Sequence, residues 1–100
     1  ALNNAVIVND SIQIAYSFNN IGGYYGYKEK YFLALKNIFQ AREIFEKLHN
    51  LRGIAFTDIQ AGLWFSQLKL YDKAEKYFVE TIQIRRKIMM NLAFMLLKVD

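Results

Sequence analysis

One hundred residues, 54% hydrophobic and 16% aromatic, allow a single small domain with enough apolar surface for a core. No Pro and five Gly favour long helices over turn-rich sheet, and no Cys excludes disulfides, zinc–thiolate sites and thiol chemistry. A net charge of +4, from 13 Lys and Arg against nine Asp and Glu, supports only a weak preference for acidic or neutral partners.

Ala1 to Asn9 reads as the end of a helix that starts outside this sequence. Shifted by 40 positions, Ala1 falls on Ala41, Val8 on Leu48, Ile14 on Ile54 and Ala15 on Ala55. The chain is therefore expected to be a piece of a longer array, with residues 1–10 the tail of a preceding unit. Asn9, Asp10 and Ser11 carry N-cap chemistry and predict a helix from there to about Tyr27. Its apolar residues Ile14, Phe18, Ile21 and Tyr25 form one stripe.

Lys28 to Lys30 is read as a turn. The next helix, about Tyr31 to Leu48, has the clearest pattern, with Tyr31, Ala34, Ile38, Ala41, Phe45 and Leu48 alternating steps of three and four. His49-Asn50 punctuates it, and Asn50 is a plausible cap for a third helix over about Arg52 to Gln67. There Ile54, Ala61 and Phe65 hold the stripe and Asp58 interrupts it. Lys69-Leu70 turns the chain into a fourth helix, about Tyr71 to Met90, through Tyr71, Ala74, Phe78, Thr81 and Ile88. Arg85 stands where the earlier copy has Phe45. Asn91 to Asp100 either extends that helix or opens a further repeat. The most apolar run, Ile88 to Leu97, holds ten residues, half of the about 20 a membrane span needs. No transmembrane helix is expected.

One stretch is written twice. Phe18, Ile21-Gly22 and Tyr25, then Ala34, Ile38 and Ala41, return 40 residues later as Asp58, Ala61-Gly62 and Phe65, then Ala74, Phe78 and Thr81. Residues 11–50 are the first full unit and 51–90 the second, with 91–100 left over. Gly22 and Gly62 are expected to allow close helix approach, Ala34 and Ala74 to receive Tyr25 and Phe65, and Ile38 and Phe78 to fill the space between hairpins.

This pattern resembles the tetratricopeptide repeat, which runs from an aromatic through Leu-Gly and Tyr to Ala-x3-Phe. The resemblance covers nearly the whole chain. It departs from the family in its period of 40 against the usual ~34, in lacking Pro, in Asp58 at an aromatic position and in Thr81 at a small apolar one. The longer period, with Asn19-Asn20 before Ile21-Gly22, is similar to the variant of kinesin light chains and of bacterial regulators with repeat arrays. The resemblance implies an all-α fold of antiparallel hairpins stacked as a right-handed solenoid. It also implies a concave groove, lined by the first helix of each hairpin, for an extended peptide or a partner helix.

On that implication the groove-facing residues are Tyr16, Asn19, Asn20, Gly23, Gly26 and Tyr27 in the first copy. In the second they are Phe56, Ile59, Gln60, Leu63, Ser66 and Gln67. Asn20 and Gln60 correspond and are both carboxamides, able to pair with both backbone groups of an extended peptide residue; otherwise they are ordinary solvated positions. Gly23 and Gly26 leave bare backbone on the groove side, or are a tolerated weakness. The carboxylate clamp of chaperone-binding family members lacks its Lys here, because Asn19 and Gly23 occupy the first clamp positions, so no C-terminal carboxylate binding of that kind is expected.

A catalytic reading lacks parts. His49 is the only His, no phosphate loop follows a strand, and no cofactor or metal site is expected. Arg42, Glu43, Glu46 and Lys47 read as a solvated, salt-bridged face. Arg85-Arg86-Lys87 is the one basic run, suited to an acidic partner or to a helix end. The function expected is a protein- or peptide-binding scaffold, a regulatory or sensory part of a larger protein, in a cytoplasmic setting and without nucleic acid. The alternative is a structural spacer that self-associates through its ends into a homo-oligomer.

Overall fold

In the computed structural model of the chain, residues 2–98 are described, with side chains from residue 4 onward. They form four helices: α1 Leu2–Tyr27, α2 Tyr31–Lys47, α3 Leu51–Gln67 and α4 Tyr71–Leu97. The chain is all-α. No helix among the described residues is long and apolar enough to cross a membrane.

The three connections share one design. Glu29, His49 and Lys69, spaced by 20, adopt left-handed φ values of 62°, 53° and 63°. After each helix the left-handed residue donates its N–H three residues back, and the next residue donates five back. Examples are His49 to the Glu46 carbonyl at 3.0 Å and Asn50 to the Phe45 carbonyl at 2.9 Å. These paired bonds satisfy carbonyls that a helix end would otherwise leave open. Of the starts after a turn, only α3 has a side-chain cap, Asn50 Oδ1 accepting from the Gly53 N–H at 2.9 Å.

Short turns fold each helix back along the last, so α1 packs on α2, α2 on α3 and α3 on α4, while α1 also touches α3. Helix α2 is the hub. Its Ala34, Ile38, Ala41 and Phe45 are fully buried, as the three-four spacing predicts. Ala41 and Phe45 join Ala15 of α1, with Phe18, Ile44 and Ile54 against them. Leu35 and Ile38 join Ala61, Phe65 and Ala74, with Phe39, Trp64, Leu68, Tyr77 and Phe78 packed around. Close approach is set by glycine. A Cβ on Gly22 would stand 2.8 Å from Ile38, and one on Gly62 2.5 Å from Phe78. Ile38 and Phe78 thus sit over glycines of their own hairpins.

Two expectations change and one alternative is decided. Helix α1 runs unbroken through Asn9, Asp10 and Ser11. Cap-forming side chains do not end a helix when no Gly or Pro interrupts the backbone. Residues 91–97 extend α4. Ile14 and Ile21, expected to pack, are exposed, because that side of α1 meets neither α2 nor α3. With 26 and 27 residues against 17 in each inner helix, α1 and α4 overhang the bundle at the same end. Residues 4–10 and 89–98 are exposed throughout.

Candidate functional site

Helices α1 and α3 lie side by side and present one shared face. Tyr16 and Phe56, which stand 40 apart in sequence, bring their rings to 6.3 Å at 55°, and both are near two-fifths exposed (41% and 43%). Tyr16 is steadied from below by an edge-on contact with Phe45 at 5.4 Å. Further along, Gln60 Oε1 lies beside Gly23, 3.7 Å from where a Cβ would be. Asn20 and Leu63 are exposed and Ile59 is half-buried. Tyr27 and Gln67 are exposed at the far ends of their helices. The face therefore carries paired aromatics at one end and carboxamides beside an open glycine backbone in the middle.

Two groove assignments are corrected. Asn19 is 2% exposed and its Oδ1 has no hydrogen-bond partner. It sits on the Ala15–Gly22–Gly26 side of α1, which is buried, so a ligand on the open face does not reach it. Gly26 does not offer bare backbone, because the Trp64 indole lies directly over it. Trp64 is in turn stacked on Tyr31 at 5.9 Å. Of the second-copy residues outside the shared face, Ser66 is half-buried.

The structure also assembles a group that sequence reading places in separate surfaces. Arg42 of α2 donates Nε–H to Asp58 Oδ1 of α3 at 2.6 Å, Nη1–H to Glu46 at 2.8 Å, and Nη2–H to Glu80 of α4. Arg42 also lies over the Tyr77 ring at 5.9 Å. The four-residue face of Arg42, Glu43, Glu46 and Lys47 is thus solvated only in part. Lys47 and Glu43 pair at 3.4 Å in solvent, whereas Arg42 turns inward. The sequence signal is Asp58 itself, since a carboxylate on an otherwise buried stripe needs a cation or a proton.

Burial raises the Asp58 pKa, and the neighbouring Glu80 carboxylate raises it further. The Arg42 contacts oppose both, and the net position is about 7. Glu80 is lowered, chiefly by the neighbouring Asp58 carboxyl and then by Arg42, against its own burial. Burial disfavours the Arg42 charge, but bonds to Asp58 and Glu80 outweigh it and hold the guanidinium protonated. Below neutral pH Arg42, Asp58 and Glu80 are thus one cation, one protonated carboxyl and one carboxylate, and the more exposed Glu46 adds a further ion pair to Arg42. The group ties α2, α3 and α4 together and lies within the packing, away from the α1–α3 face.

No family model matches the chain, and no curated protein or solved structure matches it either.

Proposed function

We propose that this chain is a protein- or peptide-binding module of the tetratricopeptide kind, its hairpins stacked as a right-handed solenoid. It would take an extended segment or a helix across the α1–α3 face. The observation that carries this reading is the exposed Tyr16–Phe56 pair, two residues one repeat apart brought side by side at 6.3 Å. Further along the same face Gln60 lies beside Gly23. Tyr16, Phe56, Ile59 and Leu63 supply apolar pockets, while Asn20 and Gln60 supply paired donors and acceptors for a peptide backbone. Gly23 lets that backbone come close.

Peptides selected from a library, labelled and titrated against the chain, test this. Asn20→Ala with Gln60→Ala is expected to weaken binding about tenfold at unchanged helicity. Tyr16→Ala with Phe56→Ala should weaken it at least as much. Unchanged affinity in both pairs would sink the assignment.

A second reading, self-association, is favoured by the apolar side chains exposed on the overhangs, among them Val6, Ile7, Phe94, Met95 and Leu96. Light scattering over a concentration series decides it, and a strict monomer at high concentration removes it.

A further inference from the structure

At the overhanging end, α3 and α4 enclose a cleft of about 520 Å³ lined by Arg52, Ala55, Phe56, Arg85, Ile88, Met89 and Leu92. The first hairpin shows why it is open. There the equivalents of Ala55, Phe56 and Arg85 are Ala15, Tyr16 and Phe45, each 40 residues earlier. Phe45 is fully buried, packs with Ala15 and meets Tyr16 edge-on at 5.4 Å. The phenyl ring fills the space between the two helices. In the second hairpin the walls are kept and the plug is an arginine. Helix α2 stops at Lys47, whereas α4 continues past the equivalent position to Leu97 and adds Ile88, Met89 and Leu92 as a second apolar wall.

The charge around the cleft has one sign. Among the described residues, Arg52 and Arg85 are the only charged ones that line it. Residues 81–98 carry Arg85, Arg86, Lys87 and Lys98 and no Asp or Glu. Among the described residues, none of Arg52, Arg85, Arg86 and Lys87 has a carboxylate partner, the ion pairs being those of Arg42 and Lys47. An apolar floor between unpaired guanidinium groups is complementary to an apolar ridge flanked by carboxylates. Met89 adds a flexible surface that accommodates varied side chains.

We infer that this cleft is a docking site for an acidic amphipathic helix. Its apolar ridge would enter between α3 and α4, and its Glu or Asp side chains would pair with Arg52 and Arg85. The site is separate from the α1–α3 face, sharing only Phe56 with it, and stands whether or not that face binds peptides.

The test is fluorescence anisotropy of the whole chain with a labelled amphipathic helical peptide. It carries Leu at i, i+3, i+4 and i+7 and Glu on the flanks, and its control has Lys in place of Glu. The Glu peptide is expected to bind and to weaken about tenfold between low and high salt, while the Lys peptide does not bind. Arg85→Phe, which restores the plug of the first hairpin, should abolish binding and keep the helical circular dichroism. Arg52→Gln with Arg85→Gln should weaken binding at least tenfold. Asn20→Ala with Gln60→Ala should leave it unchanged, which separates this site from the α1–α3 face. The proposal is overturned if neither peptide binds, if both bind alike, or if Arg85→Phe binds as well as the parent chain. It also falls if light scattering shows a dimer that Arg85→Phe converts to monomer, since the occupant is then a second copy.

Discussion

Arg42 on α2 donates its Nε–H to Oδ1 of Asp58 on α3 at 2.6 Å, and the Asp58 side chain is wholly shut off from water. The two residues lie 16 apart in sequence and are joined by Glu80 from α4. Side chains thereby link α2 to α4, a pair whose backbones do not approach closely. Phe39 of α2 and Tyr77 of α4, at 5.6 Å, make the same connection with aromatic rings.

Because the folded Asp58 pKa is raised to about 7, the folded chain holds a proton there that the unfolded chain has lost above about pH 4. The stability it contributes is present in full below that pH and is lost as pH rises toward 7. The lowered Glu80 acts oppositely, but only near the ordinary glutamate range. The net expectation is a chain less stable at pH 8 than at pH 5.5, by on the order of 1 kcal/mol. Asp58→Asn, which keeps an acceptor for Arg42 and a donor for Glu80, should flatten that difference. Urea unfolding at the two pH values measures it, and a parent chain that is more stable at pH 8 contradicts the assignment.

Arg42→Ala leaves Asp58 buried without its cation and frees Glu80. The expected loss is about 3 kcal/mol at pH 8, and less at pH 5, where Asp58 stays protonated. Chemical denaturation across that range checks both the size and its pH dependence.

Glu29, His49 and Lys69 hold φ values of 62°, 53° and 63° without being glycine. A side chain in that region costs about 1 kcal/mol that glycine avoids. Each single change to Gly should therefore raise the unfolding midpoint, and the triple variant should raise it most. A fall in Tm for all three would show that their side chains hold the turns.

Gly23 and Gly53 should respond in opposite directions to alanine. Nothing lies nearer than 3.7 Å to a Cβ on Gly23, so Gly23→Ala gains helix propensity of about 1 kcal/mol. A Cβ on Gly53 collides with the ring of the fully buried Phe45, and Gly53→Ala should cost about 2 kcal/mol. Thermal melts of the two variants give the comparison. If peptides lie along the α1–α3 face, Gly23→Ala should also reduce their affinity while it raises Tm.

The four helices and the burial of Ala34, Ile38, Ala41 and Phe45 were legible from spacing alone, because helical periodicity and the apolar stripe are local properties of the chain. The turns were legible in place but not in geometry, since Glu29, His49 and Lys69 carry no glycine signal for a left-handed residue. Asn19 and Arg42 are the instructive failures. Each looks polar and outward on its own helix, yet Asn19 is buried and Arg42 is turned inward by Asp58 and Glu80, which are distant in sequence.

For this protein the sequence by itself determined that helices form and where the three turns between them fall, which side of α2 is apolar, and that one unit recurs after 40 residues. Those features depend on residues three and four apart. Only the tertiary structure decided that Asp58 keeps its place in the core through Arg42 and Glu80, and that Trp64 closes over Gly26. It alone decided that the cleft beside Arg85 stays open. Each of these depends on which helix arrives opposite, and the distance across a packed interface is not written in any local spacing.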